Sequence, residues 1–92
     1  MLKAVFTSKF KNDLKSIQNQ SAKLKATKEV MKQITNETAL TENKREHELE
    51  GEYEGYMECH VKPDWLLIYK IDHKNKVVYF QRTGSHSKLF KQ

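Results

Sequence analysis

Between Trp65 and Ile71 the chain reads Trp-Leu-Leu-Ile-Tyr-Lys-Ile, apolar at both alternate sets of positions apart from Lys70. A strand sends successive side chains to opposite faces, so this strand has to be covered on both sides. It is bounded by the turn Lys62-Pro63-Asp64 and by a hairpin loop, Asp72-His73-Lys74-Asn75. Beyond that loop Val77 to Arg82 is the next strand, and Thr83-Gly84-Ser85 turns the chain again before a short apolar end at Leu89-Phe90. Upstream, Tyr53 to Val61 alternates. Tyr53, Met57, Cys59 and Val61 fall on one face, and Glu54, Tyr56, Glu58 and His60 on the other. Consecutive strands joined by tight turns are antiparallel. A chain of 92 residues has room for one core only, so residues 1–92 form a single domain around this strand.

The first half supplies the cover. Leu2 to Phe6 reads as a short strand with Leu2, Ala4 and Phe6 facing in, and Thr7 or Ser8 caps the helix that follows. Phe10, Leu14 and Ile17 form one stripe at i, i+4 and i+7. Ser21 caps a second helix, in which Leu24, Met31 and Ile34 share a face beside Val30. Asn36 to Arg45 is polar and unpatterned, and reads as a loop; Gly51 and Gly55 permit turns or bulges. The expected class is α+β, a small antiparallel sheet with two N-terminal helices packed on one face. The opposite face, or its edge, is left for chemistry.

Charge is unevenly placed. Residues 1–45 carry ten Lys/Arg against four Asp/Glu, a net +6, and residues 46–92 carry seven against eight, a net −1, together the +5 of the chain. A basic half beside a nearly neutral, histidine-bearing half fits a polyanion partner, although lysine-rich helix faces are also commonly just solvated. No run approaches the ~20 apolar residues of a membrane span. The N-terminus lacks the apolar region of a signal peptide, and the single cysteine, Cys59, has no internal partner. Both fit a reducing, cytoplasmic setting.

Histidine is the side chain whose proton moves most easily near neutral pH. Of the four present, His73 sits in a hairpin loop and is assigned nothing. His60 ends a strand with Asp64 just across a turn, Arg82 ends another strand before His86, and His47 lies in a loop upstream. Individually each is an ordinary surface residue. Together they have two chemical readings. In one, His60, Asp64 and His86 are acid–base groups and Arg82 clamps a phosphate. In the other, His60, Asp64 and His86 bind a metal such as zinc, which the nearby Arg82 cation disfavours. Cys59 falls on the Met57/Val61 face and is expected to be buried.

Three ordered segments carry a resemblance: Glu46-His47-Glu48-Leu49-Glu50-Gly51, then Glu58 to Tyr69, then Arg82-Thr83-Gly84-Ser85-His86 with Leu89-Phe90. With Phe10 to Lys15 they resemble the YafQ toxins, of the RelE-like superfamily in type II toxin–antitoxin systems. The likeness covers nearly the whole chain. It implies a small α+β domain that cleaves messenger RNA in the ribosomal A site, without a metal or other cofactor. His60, Asp64 and His86 would handle proton transfer with His47 assisting, Arg82 would bind the scissile phosphate, and Phe90 would position the RNA. The implied reaction is attack by a ribose 2′-OH on the adjacent phosphate, giving a 2′,3′-cyclic phosphate and a 5′-OH. The implied partners are messenger RNA on the ribosome, ribosomal RNA along the lysine-rich helices, and a small dimeric DNA-binding antitoxin. Where many members carry an arginine three residues before the strand histidine, this chain has Met57, so one cation fewer is expected near the site. Two other classes compete with a nuclease: a non-catalytic RNA- or ribosome-binding module that keeps the basic helices, and a partner protein whose apolar C-terminus only binds another chain.

Overall fold

The computed structural model describes residues 1–90. Five strands, β1 (Lys3–Phe6), β2 (His47–Glu48), β3 (Met57–Lys62), β4 (Trp65–Asp72) and β5 (Val77–Gly84), form one sheet in the order β1-β5-β4-β3-β2. Helices α1 (Ser8–Lys15) and α2 (Ser21–Thr35) follow β1, and a short α3 (His86–Leu89) follows β5. Pairing is antiparallel from β3 to β5, as expected; the additional strand β2 is antiparallel to β3, and β1 runs parallel to β5. The tight-turn rule does not reach this pair, because two helices and three strands separate its members in the chain. Among the described residues no helix is long and apolar enough to cross a membrane.

The two-faced strand has two covers. On one face Leu67 and Tyr69 of β4 meet Phe10, Ile17, Val30 and Ile34 from the helical layer, with Cys59, Val61, Val78 and Phe80. On the other, Leu66 and Ile68 meet Leu89, Leu49, Tyr53, Tyr56 and Phe90. Burying a Leu or Ile side chain contributes about 1.5–3 kcal/mol, so the second cover contributes through Leu66 and Ile68 what an exposed face would lose. Trp65 ties β4 to α2. Its indole N–H donates to Thr27 Oγ1 at 3.1 Å, and Lys23 Nζ lies 4.5 Å from the ring centroid.

Several local expectations are corrected. Thr7 caps α1, accepting the Phe10 N–H at 3.0 Å, but the N-cap of α2 is Gln20, not Ser21, and makes no side-chain cap bond. Phe6 is half exposed, although it stacks on Phe10 and Phe80. The loop before the sheet contains a 3-10 turn at Glu42–Lys44. Strand β3 begins at Met57, because Gly51–Tyr53 is another 3-10 turn with Gly51 and Gly55 at positive φ. Tyr53 therefore leaves the Met57/Cys59 face and packs in the second cover. Thr83 and Gly84 extend β5, and Ser85 caps α3 by accepting the Lys88 N–H.

Two register shifts change which face later side chains take. Tyr69 pairs with Phe80 but Ile68 pairs with Arg82, so Gln81 is an extra residue in β5. Leu66 pairs with His60 and Trp65 with Lys62, so Val61 is extra in β3. A bulge restarts the alternation of the strand that carries it. Tyr69 and Ile68 face opposite ways, so Phe80 and Arg82 do too, although they are two apart in sequence.

Candidate active site

One row of the sheet runs His47, Glu58, Ile68, Arg82 through four strands, and the next runs His60, Leu66, Gly84. Both lie on the face away from α1 and α2. His47 is on the edge strand β2, not in a loop. The rings of His47 and His60 are 6.4 Å apart, and those of His60 and His86 are 5.8 Å apart. Asp64 reaches His86 from the β3–β4 turn, its Oδ1 3.4 Å from both the backbone N–H and Nδ1. His47, His60, Asp64 and His86 therefore converge.

Glu58, on the polar face of β3, is the centre of the group. Its side chain is 4% exposed, and its Oε1 lies 3.2 Å from His47 Nε2 and 3.8 Å from His60 Nε2. The tautomers follow from the other nitrogens. His47 Nδ1 is 2.8 Å from the Arg45 carbonyl and His60 Nδ1 is 3.3 Å from the Pro63 carbonyl. A carbonyl only accepts, so both Nδ1 atoms carry hydrogen, and the Nε2 atoms turn toward the carboxylate. His86 donates Nδ1–H to Asp64 by the same logic, leaving its Nε2 uncommitted. A carboxylate set among imidazoles can take or return a proton at each Nε2.

Arg82 shares this face but its guanidinium is engaged at the sheet edge. Strand β1 ends opposite Phe80, so Gln81 and Thr83 of β5 have no strand on that side. Helix α1 replaces it: Thr7 Oγ1 donates to the Gln81 carbonyl at 2.9 Å, and Asp13 Oδ2 accepts the Thr83 N–H at 3.1 Å. Asp13 also accepts Arg82 Nε–H at 2.8 Å and Nη2–H at 3.1 Å, with Lys88 Nζ 3.5 Å away. Burial pushes the Asp13 carboxyl up, but the Arg82 guanidinium, the Thr83 N–H and Lys88 together outweigh it and hold it below its ordinary 3.8. Two of the five guanidinium N–H groups are spent on Asp13, and those not engaged by Tyr53 can reach a substrate oxygen. Tyr53 also faces the guanidinium; its ring is 5.9 Å from Phe90, which lies 6.1 Å from His86. Phe90 thus stands between the arginine and the histidines. Two strand spacings of ~4.8 Å, about 10 Å in all, separate the Arg82 and Glu58 backbones.

Met57 packs on the helical side with Tyr69, opposite the histidines. A side chain at that position does not add charge to this site, so the expected loss of a cation there does not arise. Cys59 is buried against the same core, and desolvation, reinforced by Glu46 and Glu58, pushes its thiol up to about 12. His73 is exposed in the β4–β5 loop, as expected.

The group best placed to hold a metal ion is Glu58, His60 and His86, whose ligand atoms lie within 4.8 Å of one another. Asp64, expected in that set, is instead outside it, bonded to His86 Nδ1. Two imidazoles and a carboxylate suit zinc or copper.

A family model described as "Bacterial toxin of type II toxin-antitoxin system, YafQ" matches residues 2–91. The chain belongs to the YafQ family. The mRNA interferase toxin YafQ of Escherichia coli K12 is 35% identical over 86 residues, covering 92% of this chain and 91% of the relative. The crystal structure of YafQ from E. coli BL21(DE3) superposes with a TM-score of 0.87 at 32% identity, covering 98% of this chain and 99% of the other. YafQ in the E. coli DinJ–YafQ complex gives 0.84 at 33%, covering 98% and 99%. A metal-bound toxin from Helicobacter pylori gives 0.88 at 36%, covering 98% and 100%. The α+β architecture with a mostly antiparallel sheet is that of the YafQ structures.

Proposed function

We propose that this YafQ-family toxin is a metal-independent endoribonuclease that cuts messenger RNA on the ribosome. The observation that carries the reading is the convergence of three imidazoles around Glu58 on the sheet face shared with Arg82. One imidazole takes the proton of a ribose 2′-OH, whose oxygen attacks the adjacent phosphorus. The P–O5′ bond breaks, and a second imidazole returns a proton to the leaving 5′ oxygen, so that no water is consumed. His60 and His86, with rings 5.8 Å apart, are the pair for these two transfers, and His47 shares Glu58 with His60. Asp64 holds the His86 tautomer. The N–H groups of Arg82 left free by Asp13 and Tyr53 take up charge on the phosphate oxygens. Phe90 offers a face for stacking on a base.

A transition metal on Glu58, His60 and His86 would occupy the nitrogens that have to carry protons. Metal binding and acid–base catalysis therefore exclude each other here, and a bound ion inhibits. The lysines of α1 and α2 are the surface for ribosomal RNA, and the protein works in the cytoplasm, where ribosomes are. Its counterpart is an antitoxin, as DinJ is in the complex with E. coli YafQ.

Mapping transcript 5′ ends after induction, with His86→Ala as control, tests this. New 5′-OH ends within codons of translated messages are expected from the wild type and none from the variant. Equal growth with and without the neighbouring small reading frame counts against a toxin. Unchanged toxicity of His86→Ala with intact ribosome binding favours a non-catalytic module.

A further inference from the structure

Beside the histidine cluster, on the other side of His60, lies a cavity of about 260 Å³ lined by Asn43, Lys44, Arg45, His60, Lys62 and Pro63. Three of these side chains are cations. None of them forms an ion pair among the described residues, whereas Arg82 is bonded to Asp13 and Lys76 to Glu37. No carboxylate lines the cavity. Three like charges around one concavity repel each other, and an anion placed among them relieves that repulsion.

We propose that this cavity is a nucleotide subsite, taking the phosphate next to the scissile one in a single-stranded RNA. The placement rests on the nuclease reading above; the anion chemistry does not. The cavity is built, not incidental. Lys44 is drawn across it by a bond from Nζ to the Val61 carbonyl at 3.4 Å. Val61 is the extra residue of β3, so Lys62 pairs with Trp65 while His60 pairs with Leu66, and the two reach the cavity from opposite sides of the strand. Arg45 follows the Glu42–Lys44 turn in the left-handed region, φ 51°. Its carbonyl accepts the His47 Nδ1–H. The residue that would hold the neighbouring phosphate therefore also orients a catalytic imidazole. His60 is a common wall, with its ring lining the cavity and its Nε2 facing Glu58. Asn43 adds an amide that can both donate to and accept from a base edge. The space exceeds a phosphate ion and is of the order of one nucleotide.

The test is titration of the full chain with a short RNA methylated at its 2′ oxygens, which cannot be cleaved, over a salt series. Arg45→Gln and Lys62→Gln should each weaken binding and reduce the slope of log affinity against log salt by about 0.7, the value for one single-strand phosphate contact. On programmed ribosomes the effect should fall on KM rather than kcat. Inorganic phosphate should compete with RNA for the wild type and lose that competition in the double variant. Wild-type affinity and slope in the double variant would overturn the subsite, as would phosphate binding the double variant undiminished. A mononucleotide binding the wild type as tightly as the oligonucleotide would make the cavity a free-nucleotide site and overturn the RNA assignment. Because the binding arm needs no cleavage, a wild type that binds with these slopes but cuts nothing refutes the nuclease reading and leaves the subsite standing. Both substituted side chains are exposed, so loss of fold does not confuse the result.

Discussion

The bond between Asp13 and Arg82 joins the helical layer to the histidine-bearing face, and cutting it has consequences that can be sized. Asp13 is 4% exposed at the side chain and accepts from Arg82 Nε, Arg82 Nη2 and the Thr83 N–H, with Lys88 nearby. Removing one partner of a buried pair costs about 3–5 kcal/mol, because the other charge is left unpaired. The guanidinium here is 17% exposed and can turn toward water, so about 2–3 kcal/mol is expected for Asp13→Asn. At about 4–8 °C per kcal/mol for a domain of this size, Tm should fall by roughly 10–20 °C. Replacing both partners, as Asp13→Asn with Arg82→Met, should cost clearly less than the two single changes added. Acidity gives a second check. The folded carboxyl is held below 3.8, so its contribution to stability is complete above that value and is lost as pH falls through the lower, folded one. The wild type should therefore lose stability between these values, and Asp13→Asn should lack that component. Freed from its anchor, Arg82 should also lose its grip on the reacting phosphate, lowering kcat by about a hundredfold. Thermal unfolding by circular dichroism and single-turnover cleavage measure the two effects. Strictly additive stabilities, or wild-type kcat in folded Asp13→Asn, would refute the coupling.

Glu58→Gln should slow cleavage by about ten- to a hundredfold, the loss of one charge-assisted contact, without lowering Tm, since a desolvated carboxylate is removed. A fall in Tm with unchanged rate would reverse that assignment. Zinc added to the purified protein should suppress cleavage and a chelator restore it, whereas stimulation by zinc would overturn the metal-independent mechanism. Cys59, with its thiol pushed up to about 12 and fully buried, should resist a maleimide in the native state and react on unfolding, followed by mass spectrometry. Trp65→Phe removes the bond to Thr27 and part of the buried ring, and should cost about 1–3 kcal/mol in chemical denaturation with little effect on kcat.

What the sequence determined by itself was whatever depends on local period. The double-faced apolar run gave β4, tight turns gave its antiparallel neighbours, and the 3.6-residue stripe gave the helices. The ordered histidines and Asp64 were legible because strand ends and turns placed them near one another whatever the detailed register. Two buried carboxylates of the candidate site were missed, although each left a trace. Glu58 is two residues before His60 and so shares its face, and Asp13 sits three after Phe10, on the stripe that should be apolar. Neither trace shows burial, because the partners that bury them lie on other elements of the chain. The parallel pairing of β1 with β5 was beyond local rules for the same reason. Most consequential was the bulge at Gln81. Simple alternation gives Phe80 and Arg82 the same face, toward the helices, and one extra residue moves Arg82 to the face of the histidines. A one-residue shift in register inverts every side chain beyond it, and only the pairing of whole strands, with α1 covering the edge that β1 leaves bare, decides where such a shift falls.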